Sequence, residues 1–227
     1  MPRAIESSPP TANLLLEEIT HRVNNEFTAA IGMLSLTAAR SLNNEVRAAL
    51  VPAIEHLHNH ARVLRALQMP AKDQFIDAAK YVRELCEAIS LSKLRVHDVE
   101  LIFVEHQLTL RAEQSWRLGM ILFELVTNAS RHAFGRGRGR GVIQIELLKS
   151  GDWVKCCVTD NGSAANKWQP GRGTKIIRSL VQSLGGEITQ RFGIHGSIAM
   201  MSFPYVSYAH SIQIHLAQNE PDGSRRN

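Results

Sequence analysis

Apolar residues recur every three or four positions at the start of the chain, where Leu15, Ile19, Val23, Phe27, Ile31 and Leu34 trace one stripe of a helix. The spacing predicts a first helix over about 14–40. The polar break Ser41-Leu-Asn-Asn44 follows, and Val46, Leu50, Ile54, Leu57, Ala61 and Leu64 then repeat with the same period. That is a second amphipathic helix, with Pro52 inside it as a source of a kink. A connection so short sets the two helices antiparallel. Two wide apolar stripes cannot bury each other completely, so the pattern also predicts pairing with a second copy into a four-helix bundle. Residues 1–13, rich in Ser and Pro, read as a flexible lead with Thr11 as the helix cap.

Met69-Pro-Ala-Lys-Asp73 marks a boundary, because proline ends the helical period there. Beyond it the pattern predicts a helix over 76–92, a β-branched strand at 99–104 and a long helix over 112–134. Strands at 142–148 and 153–159, a helix over 174–184 and strands at 187–192 and 197–203 complete the series. Strands and helices mix without strict alternation, which points to an α+β sandwich rather than a parallel α/β fold. The expected domains are a helical hairpin over 14–70, a sandwich over 74–206 and a polar tail over 207–227.

Composition narrows the class. The chain has 227 residues, 44% hydrophobic and 21% charged, as in a soluble globular protein with room for two cores. No apolar run approaches the roughly 20 residues that span a bilayer. The first ten residues lack the apolar core of a signal peptide, so a cytoplasmic protein is expected. Cys86, Cys156 and Cys157 have neither an even count nor ligand spacing, which argues against a disulfide frame or a zinc site. Cys156 and Cys157 should point to opposite faces of a strand. A net charge of +5 fits several anionic partners. Gly135-Arg-Gly-Arg-Gly-Arg-Gly141 is the densest basic stretch, yet it lacks interleaved aromatics, so nucleic acid is not the expected partner.

Four segments carry chemistry. His21 lies two residues from both Ile19 and Val23, about 200° round the helix from each, and therefore faces water. An exposed neutral imidazole on a rigid helix is a competent nucleophile. In the long helix, Glu124, Asn128, Arg131 and His132 share one side at three- and four-residue spacings, opposite Leu122, Leu125, Val126 and Ala129. A carboxylate and an amide oxygen can hold Mg²⁺ beside phosphates while a cation offsets charge. Asp160-Asn-Gly162 ends a strand, either as a tight turn or as an acceptor for an exocyclic amine. Gly171-Arg-Gly173-Thr174 opens a helix whose N-terminal amides favour an anion.

Taken in order, these segments resemble the sensor histidine kinases, in the subfamily whose phosphoacceptor box reads His-Arg-x-x-Asn, here His21-Arg-Val-Asn-Asn25. The resemblance runs from about residue 14 to 205. It implies a dimerisation and histidine-phosphotransfer hairpin followed by an ATP-binding domain of the Bergerat, or GHKL, type. His21 would accept the γ-phosphoryl group of ATP and pass it to an aspartate of a response-regulator receiver domain. Glu18 would polarise the imidazole, and Asn25 would orient water for the reverse reaction. By the same resemblance, Asn128 is the Mg²⁺ ligand with Glu124 one turn earlier, and Arg131 and His132 lie near the phosphates. Asp160 reads adenine, and Gly162, Gly171, Gly173 and Thr174 belong to the nucleotide loops.

Two positions depart from the family pattern. Alanine stands at 164 where the second glycine of the Asp-x-Gly-x-Gly box is expected, and only Ala165 to Pro170 remain for an ATP lid. These departures define a second reading, a phosphotransfer module whose nucleotide domain does not use ATP. With no sensor or receiver segment beside the core, the expectation is a piece of a longer kinase or a protein that takes its signal from a partner.

Overall fold

A computed structural model describes residues 10–69, 74–134, 140–163 and 171–206, without the side chains of 10–17 and 20. Two compact units divide between Gln68 and Met69. Residues 1–9 of the lead expected over 1–13, residues 135–139 of the Gly/Arg stretch, Ala164 with the lid expected over 165–170, and the expected tail over 207–227 fall outside the described residues.

The first unit is a helical hairpin of α1 (Pro10–Arg40) and α2 (Asn44–Ala66). The first helix begins at Pro10 rather than Leu14, so Thr11 lies inside it and is not its cap. Proline suits a first turn, where its missing N–H has no intrahelical partner in any case. The start of α2 is fixed by Asn43, whose Oδ1 accepts from the amides of Glu45 at 2.8 Å and Val46 at 3.4 Å. The helix runs on through Pro52. Ile31, Ala38, Ala61 and Val63 are buried, but Ile19 and Val23 remain 56% and 40% exposed. The hairpin therefore buries only part of its stripe.

The second unit opens with β1 (Phe75–Asp77), whose last residue caps α3 (Ala78–Ile89): Asp77 Oδ1 accepts from the Lys80 amide at 2.9 Å. The predicted helix over 76–92 thus starts later, because residues 75–77 are held as a strand by a partner far along the chain. After α3 come a π turn at Ser90–Leu94 and a 3₁₀ turn at Arg95–His97, ended by Asp98 at φ 53°. Next are β2 (Val99–Glu105), β3 (Thr109–Arg111), which pairs antiparallel with β1, and α4 (Ala112–His132). The remaining elements are β4 (Gly141–Ser150), β5 (Trp153–Asp160), α5 (Arg172–Ser183), β6 (Glu187–Gly193) and β7 (Gly196–Pro204).

The main sheet has the order β2-β4-β5-β7-β6. Among the described residues only β2 and β4 pair in parallel, and α4 lies in the crossover that such a pair requires. Alternate residues of the strands point into the core: Ile143, Ile145 and Leu147 on β4, Val154, Cys156 and Val158 on β5, and Met201 and Phe203 on β7 are buried. Leu118, Ile121, Leu122 and Leu125 of α4 and Ile177 and Val181 of α5 complete that core. Cys156 is buried and Cys157 half-buried, as alternation on β5 requires. The result is a two-layer α+β sandwich. Gly119 lets α4 approach α3, since a Cβ there would stand 2.8 Å from Cε1 of Tyr81.

Candidate nucleotide site and phosphoacceptor helix

A cavity of about 640 Å³ opens in the second unit where the end of α4, the end of β5, the start of α5 and the β6–β7 hairpin converge. Seven of the residues singled out by sequence line it: Asn128, Arg131, His132, Asp160, Gly171, Gly173 and Thr174. The helical period accounts for the first three, which sit on one side of α4 with Arg131 and His132 exposed at its last turn.

Glu124 stands beside this group. A Cβ on Gly173 would lie 2.8 Å from Glu124 Oε2 and 3.5 Å from Asn128 Nδ2, so the absence of a side chain is what brings the start of α5 against the polar stripe of α4. Gly162 acts behind the wall. A Cβ on it would meet the Ala133 carbonyl oxygen at 2.5 Å, and the amide of the next residue, Ser163, donates to that same oxygen at 2.8 Å. The Asp-x-Gly turn is thereby seated on the C-terminal end of α4.

Both carboxylate oxygens of Asp160 are engaged. Oδ1 accepts from the Gly162 amide at 2.9 Å, and Oδ2 accepts from the Ser197 hydroxyl. Each oxygen keeps a lone pair, so the group is fixed in orientation and can still accept from a ligand amine. Asn161 locks the strand end from the other side: its Oδ1 accepts from the Val142 amide at 2.7 Å. In the same lining, α5 begins after Gly171 with no side-chain cap, which leaves first-turn amides available to an anion.

Several lining residues carry no sequence signal of their own. Ser197 reaches Asp160 because β5 and β7 pair with these two residues opposite each other, a register that spacing does not disclose. Phe192, Ile198 and Ala199 supply apolar wall from the same hairpin. Lys93, in the π turn and outside that lining, is the other omission. Its ammonium is held below the usual lysine pKa, first by burial and then by the Arg131 guanidinium, against a smaller opposing effect of Glu124. Its Nζ lies 5.4 Å from the Phe123 ring centroid. A lysine before an irregular turn gave no reason to place it near the end of α4.

On α1 of the first unit, His21 is exposed, as are Glu18 and Asn25. Glu18 Oε1 accepts from Arg22 Nε at 2.7 Å, one turn along the helix, so its carboxylate is paired with the neighbouring arginine.

An α+β sandwich that follows a helical hairpin is also the fold of solved histidine kinase domains. The HisKA_2 family, described as histidine kinase, matches residues 18–93. Over 190 residues the chain is 28% identical to the sensor histidine kinase PdtaS of Mycolicibacterium smegmatis, covering 79% of this chain and 36% of that protein. It is 26% identical over 199 residues to blue-light-activated histidine kinase 2 of Erythrobacter litoralis, covering 83% of this chain and 56% of that one. The histidine kinase domain of the Erythrobacter litoralis blue-light-activated kinase shares the fold, with a TM-score of 0.56 at 24% identity over 78% of this chain and 96% of that domain. Over residues 18–93 the chain therefore matches the histidine kinase family, and the relatives it resembles at 26–28% identity are sensor and blue-light-activated histidine kinases. It spans between 36% and 56% of the length of these two curated relatives. Among the described residues, no helix is long and apolar enough to cross a membrane.

Proposed function

We propose that the chain is the core of an ATP-dependent protein histidine kinase. In this reading the second unit binds ATP with Mg²⁺, His21 takes the γ-phosphoryl group, and an aspartate of a response-regulator receiver domain takes it in turn. The observation that carries the reading is the convergence of Asn128, Asp160 and the uncapped start of α5 on one cavity.

The donor set fits the nucleotide. Asp160, oriented by Gly162 and Ser197, accepts from the adenine amine. Asn128 and Glu124 offer hard oxygen ligands for Mg²⁺, which when bound offsets the charge of the β- and γ-phosphates. Gly171, Gly173 and Thr174, with the Arg131 guanidinium and the His132 imidazole, line the same cavity and offer amides, positive charge and ring nitrogens to the phosphates. In the transfer, an imidazole nitrogen of His21 bonds to the γ-phosphorus as the bond to the bridging oxygen breaks. ADP leaves, and the ring sheds its N–H proton. The protein's share is positioning and fixed electrostatics. Glu18, exposed beside its Arg22 partner, exchanges that pairing for the imidazole when the histidine becomes cationic. Asn25, one turn beyond His21, serves the reverse reaction by orienting water. The exposed part of the α1 stripe supports a homodimer through a four-helix bundle.

Incubation with γ-labelled ATP and Mg²⁺ tests the proposal. Acid-labile, base-stable label is expected on the wild type and absent from His21→Ala and Asn128→Ala. Absence of label on the wild type, together with uptake of phosphate from a phosphorylated receiver, would establish the ATP-independent phosphotransfer module instead.

A further inference from the structure

On α2, at two positions given no role above, His56 and His60 stand one helical turn apart with their Nε2 atoms 3.1 Å from each other. Their ring centroids are 4.6 Å apart and the ring planes meet at 86°. Two nitrogens each about 2.1 Å from one ion stand roughly 3.0–3.4 Å apart for ligand angles between square-planar and tetrahedral. The separation seen on α2 falls inside that interval. We propose that His56 and His60 form a two-point chelate for a divalent transition-metal ion of the Zn²⁺, Ni²⁺ or Cu²⁺ class.

The chemistry selects that class. Two neutral imidazoles suit borderline-soft ions, whereas Mg²⁺ and Ca²⁺ require oxygen ligands, so this site does not compete for the cation of the nucleotide cavity. The helix backbone holds the pair, and the cost of bringing the second ligand to the ion has been met by folding of α2. In the metal-free pair one Nε2 donates its hydrogen to the other. When the ion enters, that ring moves its proton to Nδ1, both rings stay neutral, and both Nε2 lone pairs turn to the metal. One turn to either side on the same face of α2 stand Pro52, Ala53, Val63 and Leu64, none of which is a ligand, so this helix supplies two ligands. His58, between the two, projects about 200° round the helix from His56 and takes no part.

Titration calorimetry of the untagged full chain with NiCl₂ tests the assignment, with the double variant His56→Ala/His60→Ala as the background for the other histidines. The wild type is expected to bind one Ni²⁺ above that background. Either single variant, His56→Ala or His60→Ala, is expected to lose at least about tenfold in affinity, because one ligand replaces a preorganised pair. His58→Ala should bind within about twofold of wild type, since a side chain on the far face cannot reach the ion. Helicity by circular dichroism in EDTA, equal across the set, ties any loss to ligation rather than folding. No binding above background, full affinity in either single variant, or an equal loss in His58→Ala overturns the proposal.

Discussion

Two glycines at the proposed nucleotide cavity, Gly173 in its lining and Gly162 behind its wall, meet different neighbours, and the difference predicts different phenotypes. At Gly162 an added Cβ would strike backbone, with the Ala133 carbonyl carbon at 2.7 Å, so neither α4 nor the turn can yield cheaply. Gly162→Ala is expected to cost about 1–3 kcal/mol of stability in denaturant titration. At Gly173 the nearest atom is the far end of the Glu124 side chain, which can swing away. Gly173→Ala should leave stability within about 0.5 kcal/mol while weakening Mg²⁺-dependent nucleotide binding, as measured by equilibrium dialysis. A binding defect in neither variant would remove Gly173 and Glu124 from the site. The buried thiols predict behaviour at alkaline pH. Burial pushes Cys86 from its ordinary 9.0 up to about 12, and Cys156 and Tyr81 shift in the same direction for the same reason. A folded-state pKa above the unfolded value means that the folded protein holds protons the unfolded chain has released. Stability is therefore full below about pH 9 and falls as pH rises toward 12, by at most about 1.4 kcal/mol per pH unit for each such group. Urea midpoints between pH 8 and 11 measure the decline, and Cys86→Ala should make it shallower.

At the scale of the element, legibility followed length and period. Both hairpin helices, α4, α5 and the five strands of the main sheet could be read because each presents a full run of spacing or alternation to one face. The short strands β1 and β3 could not, because three residues hold no period and exist only through pairing of Phe75–Asp77 with Thr109–Arg111. The same contact moved the start of α3 to Ala78, where Asp77 caps it. The π turn after Ile89 was equally invisible, and Lys93 with it. On α1 the sequence showed which face is apolar, and the structure showed that part of it stays uncovered within one chain. Val23 is 40% exposed, so Val23→Glu should cost the single chain little, yet it would bury a charge in any bundle formed by two copies. Sedimentation should show a dimer for the wild type and a monomer for Val23→Glu; a dimer in both would place the interface elsewhere.

For the whole molecule, the division between Gln68 and Met69 separates the proposed phosphoacceptor from the proposed nucleotide cavity, and this predicts separable losses. ATP with Mg²⁺ at about a hundred times its dissociation constant should stabilise a binding unit by about 2.7 kcal/mol. His21→Ala should keep this stabilisation and lose the label, whereas Asn128→Ala should lose both. Loss of the thermal shift in His21→Ala would show that the histidine serves nucleotide binding. The sequence by itself determined the hairpin, the α+β class, the exposure of His21 and the polar stripe of α4, because period and alternation are local properties that survive without tertiary contacts. It also supplied, through the order of its motifs, the residues that converge. Tertiary structure alone decided how they converge: Ser197 opposite Asp160 through the β5–β7 register, Gly173 against Glu124, Gly162 beneath Ala133, and Lys93 near Arg131. Each of these joins residues distant in sequence through strand register or close packing, and neither leaves a periodic trace in the chain.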